Sequence, residues 1–278
     1  MKRFYPVVLT LGAVCFSLQT AHATLLFSEA FNYTAGGNLG GNVNPGNSTA
    51  WSSGNSAMTI GSGNLTYSGL PDQGGNELSL TWGGGSAGTI YNTYANQTSG
   101  NIYYSFLLDV TTLPTAQSYL TSLNPGTSTP NGSSDAITMY FGTVTGGGAF
   151  KFGVRGGGAS TVFTTSTYNA NTTYLVVLGY NNIGGAAANN LNLWINPVLG
   201  NNSAPGADLT LTPTTVATAI DDVGFKVQST PQGAFLIDNL LIGTQWSDVT
   251  PANVPEPATF VFAALGLLGG FMLRFRRR

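Results

Sequence analysis

The stretch Leu25-Leu26-Phe27-Ser28-Glu29-Ala30-Phe31 sets Leu25, Phe27 and Glu29 on one side of an extended chain and Leu26 and Ser28 on the other. That period of two marks a half-buried strand, because successive strand side chains point to opposite faces. The pattern returns at Leu78–Trp82, Ile102–Val110, Ala136–Thr143, Ala149–Arg155, Thr173–Asn181, Leu191–Asn196, Val223–Gln228 and Ala234–Gly243. Val, Ile, Tyr, Phe and Trp recur in these segments, as strands prefer. Clusters of Gly, Asn and Ser separate them, among them Gly36–Asn47, Asn124–Ser134, Gly156–Ser160 and Gly200–Gly206, and these read as turns and long loops. Outside the termini no long run has a helical period, and no fixed-period repeat points to a solenoid or propeller. The prediction is an all-β fold, an antiparallel two-sheet sandwich of jelly-roll type. Its first and last strands, Leu25–Phe31 and Phe235–Ile242, are expected to pair, with Ser28 near Asn239.

Only 7% of the 278 residues are charged, against about a quarter in a typical soluble domain. The 15 Phe, 12 Tyr and 4 Trp nevertheless supply material for a core, so the low charge does not signify disorder. The few charges are unevenly placed. Met1-Lys2-Arg3, the apolar Val7–Leu18 and Ala21-His22-Ala23 have the layout of a secretory signal peptide over residues 1–23, with Thr24 as the mature start. At the other end, Pro255-Glu256-Pro257 precedes the 16-residue apolar run 258–273 and then Arg274, Arg276, Arg277 and Arg278. As a helix that run spans about 24 Å, and the arginines can snorkel and hold the tail on the cytoplasmic side of a membrane.

This arrangement resembles a PEP-CTERM sorting signal over residues 252–278. The resemblance implies an exosortase as processing partner, a transmembrane helix over 258–273, and display at the envelope of a polysaccharide-secreting bacterium. Within residues 24–251, Ile237-Asp238-Asn239-Leu240-Leu241-Ile242-Gly243-Thr244 resembles the closing strand of concanavalin A-like, laminin G-like bacterial surface proteins. Leu25–Tyr33 resembles their opening strand, and Asn192–Pro197 a middle one. That likeness implies the same sandwich and leaves the activity open, since the fold hosts lectins, adhesion modules and enzymes alike.

Six of the nine Lys and Arg residues belong to the two terminal signals, as does Glu256. Three cations (Lys151, Arg155 and Lys226) against ten acids then remain in residues 24–254, a formal charge of −7. Without an internal basic run, nucleic acid is excluded as a partner. Cys15 and His22, the only residues of their kinds, both fall in the signal peptide. Serine–histidine and cysteine–histidine catalysis, imidazole or thiolate metal sites and disulfides are thereby excluded from the body. Gly84-Gly85-Ser86-Ala87-Gly88 fits a nucleophile elbow and Gly83, Gly85 and Gly88 a dinucleotide loop, but the first lacks its histidine and the second its helix.

What remains is binding chemistry and dispersed carboxylates. Trp51, among Ser, Gly and Asn, is the expected exposed platform for a sugar ring. Trp82 and Trp194 read as core residues, Trp246 as a lid, with Tyr91, Tyr94 and Tyr140 as further candidates. Calcium is the one metal suited to this oxygen-only composition, with Asp221, Asp222 and Asp238 as its candidate ligands; no other cofactor is expected. The expectation is a secreted surface or matrix protein without catalytic residues, sorted by an exosortase. It binds extracellular polysaccharide or serves as a structural matrix component; the alternative is a polysaccharide-active enzyme using distant carboxylates such as Glu29 and Glu77.

Overall fold

Among the described residues, the alternating segments become fifteen strands and one short helix. The strands are β1 (Leu25–Glu29), β2 (Met58–Gly61), β3 (Glu77–Thr81), β4 (Gly88–Gln97), β5 (Gly100–Thr112), β6 (Ser118–Asn124), β7 (Ile137–Thr143) and β8 (Ala149–Arg155), then β9 (Val162–Phe163), β10 (Tyr168–Asn169), β11 (Thr173–Ile183), β12 (Asn190–Ile195), β13 (Leu209–Leu211), β14 (Ile220–Val227) and β15 (Ala234–Gly243). Helix α1 (Trp246–Val249) follows. The computed structural model describes residues 25–53, 56–81, 88–126, 132, 134–185, 189–228 and 233–252. The signal peptide, Thr24, Trp82, the glycines 83–85 and the sorting tail 253–278 with its expected helix lie outside the described residues. Among the described residues no helix is long and apolar enough to cross a membrane.

Two antiparallel sheets form. The eight-stranded one runs β13-β12-β11-β5-β15-β3-β2 with β1 also on β15; the seven-stranded one runs β10-β8-β7-β6-β14-β4 with β9 also on β8. The expected pairing of first and last strands is present, with Leu25 opposite Gly243. Its register differs from the expectation: Ser28 faces Leu241, not Asn239. Asn239 takes a left-handed backbone at φ 51, and the ladder with β5 shifts between Asp238 and Leu241. Such a bulge displaces the residues beyond it, which a strict period of two does not foresee.

Alternation sends Phe141, Phe150, Phe152, Val223 and Phe225 of one sheet against Leu78, Phe106, Leu108, Phe235 and Ile237 of the other. Phe141 stacks on Phe235 across the gap, centroids 4.6 Å apart and planes 9° from parallel, and the Tyr104 hydroxyl lies 2.9 Å from Thr121 Oγ1. Burying each such side chain stabilises by about 1.5–3 kcal/mol, so the core holds the fold without cross-links. A second apolar layer covers the outer face of the eight-stranded sheet. Leu65 and Leu70 of the β2–β3 connection, together with Trp246 and Val249, close over Leu107, Leu175, Val177 and Leu241. The Ser105 hydroxyl donates to the Val249 carbonyl at 2.7 Å and fixes α1 to that face.

Candidate functional site

Trp51 is not the exposed platform the loop composition suggested. It is 1% exposed, edge-on to Phe27 and stacked on Phe31. Its indole donates to Glu29, which also accepts from the Phe31 amide, the Tyr33 hydroxyl and Asn44 Nδ2. A buried carboxylate with four donors organises the loop around it. Polar neighbours in sequence made Trp51 look solvated, yet Glu29 on the first strand draws the indole inward.

The three candidate calcium ligands do not converge. Asp221 and Asp222 stand on β14 in the seven-stranded sheet, and Asp238 on β15 in the other. Among the described residues no cluster of three acidic side chains is placed to hold an ion. Asp221 accepts from the Gly126 amide, and Asp238 from the amides of Leu65 and Asn239 at 2.9 and 2.7 Å. Asp221 and Asp238 thus bind backbone. Asp238 does lie beside Glu77, one register step beyond the Ile237–Leu78 pair. Burial first, then the Glu77 and Asp72 charges, push Asp238 up to about 7, and burial with the Asp109 charge raises Glu77 as well. Both sit beneath the Gly61–Leu65 connection; a Cβ on Gly63 would stand 2.5 Å from Glu77 Oε1. The pair clasps that connection.

Open space occurs elsewhere, at one end of the sandwich. A cavity of about 390 Å³ is lined by Asn101, Tyr103, Asn202, Ser203, Gln245 and Trp246 among others. Tyr103 and Trp246 meet edge to face, centroids 5.7 Å apart, and Trp194 backs Trp246 at 4.9 Å. Trp246 therefore packs as the lid expected of it, and Trp194 lies in the outer apolar layer, its indole bound to the Pro205 carbonyl. The Asn101 side chain hydrogen-bonds the Tyr103 hydroxyl, whose pKa burial raises. The Trp246 indole N–H, on a residue only 2% exposed, has no partner among the described residues. Such an orphan costs about 1–3 kcal/mol and calls for a reason. The exposed part of the lining is amides and hydroxyls without a charge, groups that hydrogen-bond neutral polar ligands.

A second cavity, about 420 Å³, lies between the ends of β6, β8 and the approach to β14, with Ser134, Asp135, Arg155, Gly158, Thr215 and Thr218 on its walls. Arg155 Nε donates to the Ala159 carbonyl at 3.2 Å, and Tyr140 also contacts its guanidinium. Asp135 Oδ2 accepts from the Gly132 amide and the Thr138 hydroxyl at 2.8 and 3.1 Å. Tyr140 packs tilted against Tyr119, centroids 5.3 Å apart, and Lys226 Nζ stands 5.0 Å over the Tyr119 ring. Burial lowers the Lys226 pKa and the Asp135 charge opposes that shift. Tyr140 is 6% exposed and Tyr94 8%, so neither offers a free ring; Tyr91 is half-buried. The sequence reading did not single out Arg155, although it is the body's one arginine and precedes Gly156-Gly157-Gly158. It likewise passed over Tyr103 and Asn101, which alternation placed in an ordinary strand.

Residues 253–278 match the family model of the PEP-CTERM protein-sorting motif. The chain carries a PEP-CTERM sorting signal. The signal implies processing by an exosortase and a secreted, cell-surface protein. No curated protein matches the PEP-CTERM chain. Among solved structures it is similar to an endo-1,3-beta-glucanase from Streptomyces sioyaensis, with 11% identity, TM-score 0.44, and 80% of this chain and 96% of that one covered. A structure described with endo-acting O-glycanases of the human gut microbiota matches at 10% identity and TM-score 0.44, covering 79% and 99%. The CBM2 module of the evolved Dit of Lactobacillus casei BL23 phage J-1 matches at 10% identity and TM-score 0.38, covering 80% and 96%. Likenesses this distant speak for neither an activity nor a ligand.

Proposed function

We propose that this PEP-CTERM protein is a non-catalytic glycan-binding sandwich, exported by a signal peptide over residues 1–23. In this reading its tail, with a membrane helix over 258–273, holds it at the envelope until an exosortase acts, and the saccharide seats in the Tyr103–Trp246 cavity. The uncharged, hydrogen-bonding lining carries the reading: exposed Asn101, Asn202, Ser203 and Gln245 meet at the cavity and can bind sugar hydroxyls, while Trp246 backs it from the core. Amides of Asn101, Asn202 and Gln245 supply both donors and acceptors for further hydroxyls. Glu29 is saturated by four donors, and Glu77 and Asp238 are engaged by backbone, so these carboxylates serve the fold in the same reading.

Asn202→Ala tests the reading, since this exposed side chain can be removed without opening the core. Retention on the cell's own extracellular polysaccharide should weaken about tenfold, the worth of one well-placed hydrogen bond, while thermal stability holds. Unchanged retention would remove the support for this cavity.

A further inference from the structure

The two cavities are neighbours. The Gly184 amide donates to the Ala217 carbonyl at 2.9 Å, and a Cβ on Gly184 would stand 2.6 Å from the Thr98 carbonyl oxygen and 3.9 Å from that of Thr218. Ile183 also pairs with Gly100. Ser99–Asn101 at the first cavity and Ala217–Thr218 at the second are thus joined through the end of β11. A groove for consecutive residues of one polymer can cross this rim, with an uncharged aromatic subsite on one side and an arginine subsite on the other.

Charge distinguishes the second subsite. The body has ten acids, yet its three cations stand on one sheet. In β8, Phe150, Phe152 and Val154 point into the core, so Lys151 and Arg155 point outward; in β14, Val223, Phe225 and Val227 point inward and Lys226 outward. The eight-stranded sheet and its connections carry Glu29, Asp72, Glu77, Asp109, Asp208, Asp238 and Asp248 and no Lys or Arg among the described residues, whereas the seven-stranded sheet and its connections carry Asp135, Asp221 and Asp222 beside the three cations. An anionic chain is therefore repelled by the first side, and much less by the second, where acids and cations match in number. The partners of Arg155, the Ala159 carbonyl and Tyr140 hydroxyl, are neutral; Asp135 stands on the same cavity wall, its Oδ2 engaged by the Gly132 amide and the Thr138 hydroxyl. The two neutral partners engage two of the five donors of Arg155 and hold its plane, leaving N–H groups for a bidentate acceptor. Hydroxyls of Ser134, Thr215 and Thr218 surround it.

We infer that the cavity at Arg155 is a subsite for a carboxylated sugar residue, so that the ligand class is an acidic polysaccharide read by two adjoining cavities. This rests on the glycan-binding reading above and adds the charge of the ligand and the residue that recognises it. Lysine in place of Arg155 would keep the charge and lose the fork, so recognition should weaken without vanishing.

The test measures binding of the full chain, purified from the envelope, to polygalacturonate and to its fully methyl-esterified form, two polymers with one ring and different charge. Expected is at least about tenfold tighter binding of the acid form at low salt, a gap that narrows with added salt and closes in Arg155→Gln, with Arg155→Lys between. Free galacturonate should compete with the acid polymer more strongly than galactose does, a comparison made on the unaltered protein should Arg155→Gln fold poorly. Equal affinity for both polymers, or equal competition by both sugars, overturns the acidic-ligand inference and leaves glycan binding standing. Binding to neither polymer, nor to the cell's own polysaccharide, overturns both.

Discussion

The Trp51 indole nitrogen donates to Glu29 Oε2 at 2.9 Å, joining a loop residue to the first strand across 22 positions of sequence. Tyr33 donates to the same oxygen at 2.6 Å, and Asn44 reaches it at 2.9 Å while also donating to the Ser28 carbonyl. Residues 33–51 are thereby fastened to β1, which is itself the partner of the last strand.

Trp51→Phe should destabilise the protein by about 1–3 kcal/mol, since it removes one donor from a buried acceptor. Trp51→Ala adds a cavity and should cost about 3–5 kcal/mol. Urea denaturation measures both. Binding to polysaccharide by the folded fraction should be unaffected, in contrast to a surface platform.

Stability should fall as pH rises from about 4 to about 7. Asp238 is held up at about 7 in the folded protein, against 3.8 as its ordinary value, so between these limits the native state binds the proton that the unfolded chain releases. Its contribution is fully present below the ordinary value and lost as pH climbs through the folded one; Glu77, also raised, acts in the same direction. The ceiling is about 4 kcal/mol, at about 1.4 kcal/mol per tenfold change in proton affinity. Melting temperatures across this range should show the slope, and Asp238→Asn should flatten it.

Gly153→Ala should loosen the outer edge of the seven-stranded sheet. A Cβ there would stand 2.6 Å from Phe163 Cδ1, and one on Gly142 2.9 Å from the same atom, so the ring lies flat over two glycines. Displacing it should cost about 1–3 kcal/mol. Chemical denaturation and protection of the β8–β9 amides from exchange report the change.

Truncation after Asn253 removes the whole matched motif except its first residue. The truncated protein should appear in the medium, whereas the full chain partitions with the envelope. Retention of the truncated form in the envelope would contradict an anchoring role for the tail.

Alternation made the sandwich legible, because a strand buried on one face must repeat every second residue. The Leu25–Phe31 pairing with Phe235–Ile242 was legible for the same reason, and only the bulge at Asn239 moved its register. The site was far less so. Trp51 sits in a run of small polar residues that describes an exposed loop, and the Glu29 carboxylate that buries it lies 22 residues away. Asp222 and Asp238 have similar local surroundings, yet β14 and β15 belong to different sheets.

By sequence alone this protein is a β-sandwich body with an acidic excess, stripped of histidine and cysteine, behind a PEP-CTERM tail. Those properties are additive or local: composition, period two, and a motif read within a few residues. Tertiary structure decided the rest. It buried Trp51, orphaned the Trp246 N–H and brought Asn101, Asn202 and Gln245 to one cavity; it also set Arg155, bonded to the Ala159 carbonyl, beside a second. Each depends on which strands become neighbours and where loops cross them. Hydrogen-bond partners and charge neighbours follow from that three-dimensional order, and a one-dimensional pattern of apolar residues does not contain it.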